Sequence, residues 1–208
     1  MLTKKHLLLL GITVAISLLV IATFYYPGGS QQDVNAVGYS WQHNYLCNLF
    51  NEKAMNSIKN DARPLAITGL FCLCTSFALF FYRFSFKIQD KTASKVIKYA
   101  GISAMIFSFL VVTPFHDLMT TVSSIFGLVA LFYILVFILK SKLTLFKLLT
   151  LLTMLLLYAN NYIYYTQHWL HILPILQKIT IFIVLVMMLC LDYFTVKEDY
   201  TPSVKHKN

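Results

Sequence analysis

Charge is scarce in this sequence: 12% of its 208 residues are Asp, Glu, Lys or Arg, against about a quarter in an ordinary soluble domain. That shortage argues against a fold whose solvent is water throughout. Acidic residues are scarcest, with 8 Asp and Glu against 17 Lys and Arg. None falls in the middle of an apolar run, and neither repeated halves nor paired broken helices are visible, which disfavours a pump or a proton-coupled carrier. The 4 cysteines make no disulfide framework. Cys72, Cys74 and Cys190 lie in apolar segments, where a thiol behaves as a small hydrophobe, and Cys72-Leu-Cys74 lacks the spacing and second half of a zinc motif. Only Cys47 falls in a polar loop.

Hydrophobic residues make up 58% of the chain, and they come in runs at about 7–26, 64–82, 96–113, 118–139, 145–162 and 174–194. About twenty apolar residues span the hydrocarbon layer of a bilayer. Runs of that length must satisfy their own backbone, so they read as helices, not as the alternating ten-residue strands of a barrel. The first follows Lys4 and Lys5 and ends in Tyr25-Tyr26-Pro27 without a small-residue cleavage site, so it reads as a retained signal anchor. The fold class expected is all-α: a single-domain polytopic membrane bundle over 1–208 with six transmembrane helices.

Lysine and arginine set the orientation. With the N-terminus inside, one side receives Lys4, Lys5, Arg83, Lys87, Lys91, Lys95, Lys98, Lys140, Lys142, Lys147, Lys197, Lys205 and Lys207, which is 13 of the 17. The other receives Lys53, Lys59, Arg63 and Lys178. The positive-inside rule therefore predicts both termini in the cytosol, with a cytosolic tail at 196–208. The same placement explains the net charge of +9 without nucleic acid, which would need basic residues clustered on one exposed face. Tyr25, Tyr26, Trp41, Tyr162, Tyr165 and Trp169 gather at the proposed outer interface, as aromatic belts do. The longest connection, 27–63, lies outside. The spacing of Trp41, Tyr45 and Leu49 with Leu46 and Phe50 predicts an amphipathic helix along the membrane surface or capping the bundle.

On this topology His43, His116, His168 and His171 share the outer face, with Asp117 next to His116 in a tight turn. His6 and His206 mark the cytosolic ends. Imidazoles with one carboxylate, from loops meeting at a bundle mouth, are the ligand set of a catalytic zinc site that keeps one position for water. In that reading three of the four histidines bind metal and Asp117 orients an imidazole or serves as the base. Asn44, Cys47, Asn160, Asn161 and Gln167 are the further pocket candidates, and the substrate would be a lipid-like or acylated molecule arriving laterally from the bilayer. The alternative is plainer: interfacial histidines among Tyr and Trp at headgroup level, the polar face of an amphipathic helix, and amides that bond between helices, in a noncatalytic protein that binds a lipid or protein partner.

Residues 38–49 (GYSWQHNYLCNL), 60–64 (NDARP), 113–117 (TPFHD) and 173–178 (LPILQK) together resemble an uncharacterised family of bacterial six-helix membrane proteins, distantly similar to the DRAM, Frag and Sfk group. That resemblance implies a six-helix fold in the bacterial cytoplasmic (inner) membrane and no particular reaction. A partial likeness to the ceramidase and adiponectin-receptor type of membrane hydrolase implies zinc held by three histidines among the helices. The chain departs from that pattern in carrying His168-x-x-His171 and six spans where those proteins have His-x-x-x-His and seven.

Overall fold

The structure, a computed structural model, describes residues 4–200. Six helices dominate it: α1 (Lys4–Phe24), α2 (Arg63–Ser85), α3 (Lys91–Phe109), α4 (His116–Lys140), α5 (Thr144–Thr166) and α6 (Leu173–Phe194). All six are long and apolar enough to cross a membrane, and the described residues contain no strand. Pro64 and Pro174 sit in the first turns of α2 and α6, where a missing amide hydrogen costs nothing. Asp90 caps α3 by accepting from the Ala93 amide at 2.6 Å.

Each helix packs on its sequence neighbours, and α6 returns to touch α1 and α2. Short connections between α2 and α6 make the helices alternate in direction. One end, called basal here, holds the start of α1, the α2–α3 and α4–α5 turns and residues 195–200. The other, the loop end, holds 25–62 and the α3–α4 and α5–α6 turns. The main apolar core fills the basal half, with Leu8, Ile12, Phe80, Phe81, Phe84, Ile97, Ile134, Ile138, Met187, Met188 and Leu191 almost completely enclosed. Gly101 lets α3 approach α2, because a Cβ there would stand 2.1 Å from Cγ of Phe81.

The basal end is closed by a charge network. Asp192, with its side chain 1% exposed, meets Arg83 at 3.1 Å. Lys87 Nζ donates to the carbonyls of Leu191, Asp192 and Thr195 at 2.7, 3.0 and 2.8 Å. The ammonium thus serves the last carbonyls of α6, which have no helical partner and carry the negative end of the helix dipole.

The helix ends differ from the hydropathy runs, and α3 begins at Lys91, not 96. Loop 27–62 does not form the expected amphipathic α-helix. It is a compact irregular cap with one five-residue 3-10 turn, Leu46–Phe50, whose Leu49 and Phe50 pack with Ala22, Tyr26, Ala62, Ala66 and Leu70 in a second core. At Gly29, φ is +80° and a Cβ would lie 2.4 Å from the Asn56 amide nitrogen, so the chain passes there only without a side chain.

Candidate functional site

Three buried asparagines build the cap. Asn44 donates to the Gly29 carbonyl at 2.8 Å and accepts from the Ser40 amide at 2.9 Å. Asn48 accepts from the Tyr45 amide at 2.7 Å. Asn60 Nδ2 donates to the carbonyls of Asn48, Leu49 and Asn51 at 3.2, 3.1 and 2.9 Å. Side chains that bond backbone in this way compete with helix formation, which is why the helical spacing of this stretch yields no helix. Two residues of α6 then hold the cap down. Gln177 Oε1 accepts from the Leu46 amide at 3.0 Å, and Lys178 Nζ donates to the Asn44 carbonyl at 2.6 Å while lying 5.7 Å from the Tyr39 ring centre.

This assigns Asn44 to the framework. Cys47 belongs there too: burial pushes its thiol up to about 11, with Lys178 pulling the other way, so the neutral thiol is held and the nucleophilic thiolate is not.

Beside the cap a cavity of about 230 Å³ opens, lined by Gln31, Gln32, His43, Tyr45, Leu170, His171 and Pro174. Loop and α5–α6 turn thus bring His43 and His171 to one opening. Two carboxamides, two imidazoles and a phenol offer both donors and acceptors there, over an apolar floor.

His116 has a different partner. Its Nδ1 lies 3.0 Å from Asp117 Oδ1, and Tyr164 Oη donates to the same oxygen at 2.6 Å. An ionised carboxylate only accepts, so Nδ1 carries a proton, and in the neutral imidazole the lone pair is then the one on Nε2. Gln167 donates to the Tyr164 carbonyl, and Thr121 bonds Tyr165 at 2.6 Å, so the starts of α4 and the end of α5 are tied together. Deeper in, Asn160 bonds Thr180 of α6 at 2.6 Å, whereas Asn161 donates only to its own helix at the Leu157 carbonyl. His168 is exposed between Gln167 and Trp169, both left-handed at φ +59° and +58°.

Among the described residues, no group of three or more His, Cys, Asp and Glu side chains is placed to hold a metal ion. The four histidines at the loop end, His43, His116, His168 and His171, are not gathered as one ligand set. Sequence reasoning used Lys178 for orientation and met Gln177 and Tyr164 only in the 173–178 stretch and among the interfacial aromatics, and gave none of the three a place in the site. Lys178 carried a signal, as a cation just inside an apolar run; Gln177 and Tyr164 carried none, since their partners lie 131 and 47 residues away. No protein-family model, curated protein or solved structure matches the chain.

Proposed function

We propose that the protein is a multi-pass protein of a bacterial cytoplasmic membrane, with both termini in the cytosol, that binds the polar part of a lipid-like or acylated molecule at its outward face. The observation that carries this reading is the contrast between the two halves on the α4 side of the bundle, away from the second core under the cap. The basal half is a sealed apolar core. At the loop end no residue of α4 before Ala130 is buried, and imidazoles, amides, phenols and hydroxyls stand among half-open helices. Ligand sites commonly combine a mostly apolar lining with a few placed polar groups. Polar side chains at membrane depth face a cavity or a partner, not lipid.

The cavity of His43, Tyr45 and His171 supplies the polar contacts, and the rings and leucines of α4 to α6 supply the apolar path by which such a molecule arrives. Lipid carried through purification in a mild detergent tests this. One bound class is expected to be enriched, and the double variant His43→Ala, His171→Ala is expected to lose it while keeping its melting temperature. An identical lipid complement in both proteins sinks the proposal.

A second reading, hydrolysis of an ester or amide in that molecule, draws support from the His116–Asp117 pair, in which the carboxylate fixes the tautomer and leaves Nε2 to take a proton from water. Zinc analysis separates the metal-dependent form of that reading. About one zinc per chain, lost on single alanine changes at His116, His168 or His171, would favour it, because each missing ligand opens a tetrahedral site.

A further inference from the structure

The basal end carries a second cluster that the outward site does not use. Lys91, Lys95 and Lys98 recur along the first two turns of α3, at spacings that put them on one face. None of their ammonium groups meets a carboxylate among the described residues. The neighbouring acid, Asp90, is committed to the α3 cap. Lys98 Nζ lies 5.1 Å from the ring centre of Tyr82 on α2 and 5.3 Å from that of Tyr99. Tyr82 meets Phe86 edge-on at 5.0 Å. All three rings are exposed, and Ser94 fixes the turn behind them by donating to the Ser85 carbonyl at 2.6 Å.

An ordinary interfacial lysine extends its head away into water. Here one ammonium is held between two rings and two more stand free on the same face, so three positive charges lie together without a counter-charge. Tyr99 and Ile106, seven residues apart and both exposed, continue that face away from the basal end as an apolar track. A headgroup phosphate at the lysines would lay its acyl chains along it.

We infer that the exposed surface of α2 and α3 at Tyr82, Lys91, Lys95, Lys98 and Tyr99 binds an anionic phospholipid, with the phosphate on the lysines and the chains along α3. The inference rests on the chain lying in a bilayer and is independent of the outward site.

Native mass spectrometry of the full chain, titrated with phosphatidylglycerol or phosphatidylcholine, tests it. Preference for the anionic lipid is expected to fall about fivefold for each lysine removed near a membrane surface, and to vanish in Lys91→Gln, Lys95→Gln, Lys98→Gln. The pair Tyr82→Leu, Tyr99→Leu, which leaves every charge in place, is expected to weaken it too. Lys142→Gln, Lys147→Gln, at the other basic turn, is expected to keep it. Equal loss in that control, or no effect of the tyrosine pair, would reduce the preference to the general field of the basal end and overturn the site. Inorganic phosphate binding at these lysines as tightly as the anionic lipid would overturn it as well, since a free ion needs no apolar track. Single Lys98→Gln serves if a multiple variant unfolds. Uptake of neither lipid would count against the membrane reading on which this site rests, and not against the site alone.

Discussion

Asn60 concentrates more of the cap in one side chain than any other residue: three carbonyls depend on its amide nitrogen, and the Ala62 amide depends on its oxygen at 3.2 Å. A buried polar group stripped of its partner costs about 1–3 kcal/mol, so Asn60→Ala is expected to lower the melting temperature clearly. Asn60→Asp, nearly the same shape, is expected to lower it further, because an anion would then face three carbonyl oxygens. An aspartate variant as stable as the native protein would show that the carbonyls have other partners. Cys47 gives a test by pH. Its thiol ionises from 9.0 unperturbed and from about 11 in the fold. Below 9 both states are protonated; between the two values the unfolded chain has lost its proton and the folded one has not. Stability therefore falls as pH rises through that window and levels off above it. Alkylation of Cys47 near pH 8 is expected to be slow in the folded protein and fast in denaturant.

At the scale of helices, two contacts carry distinct predictions. Gly101→Ala puts a methyl group into Phe81, and overpacking typically costs about 1–3 kcal/mol; adding Phe81→Leu is expected to recover part of the loss in thermal melts. Arg83→Gln removes the ion pair that Arg83 makes with Asp192. The cost is expected at the lower end of the about 3–5 kcal/mol for breaking a buried pair, because Arg83 keeps 22% of its side chain exposed, and Asp192→Asn in the same chain should restore much of it. Hydropathy made the six helices legible, since apolar length is a local property. It missed the first turn of α3 because Lys91 to Lys95 lie where the helix leaves the apolar zone, and only the Asp90 cap marks that start. The cap over 27–62 was illegible for the opposite reason. Trp41, Tyr45 and Leu49 keep a helical period, yet the partners that Asn44, Asn48 and Asn60 choose are set by the folded loop. His43 and His171 were legible as members of one face, but their shared cavity depends on how the cap and the α5–α6 turn meet, whereas the bond of His116 to Asp117 joins sequence neighbours and is a local feature.

For the whole molecule, orientation decides whether the histidine end is the face that meets an outer leaflet, and the two proposed lipid sites lie at opposite ends. Cysteines placed singly at Gln32, Lys53 and Gln167, all exposed at the loop end, and at Lys91 and Lys142, exposed at the basal end, give the most direct reading in a background with Cys47 replaced by Ser. In intact cells the first three are expected to react with a membrane-impermeant maleimide, while the last two react only after the membrane is permeabilised. Labelling of Lys91→Cys and Lys142→Cys from outside, with Gln32→Cys protected, would invert the molecule, turn the outward pocket toward the cytosol and contradict the proposed function.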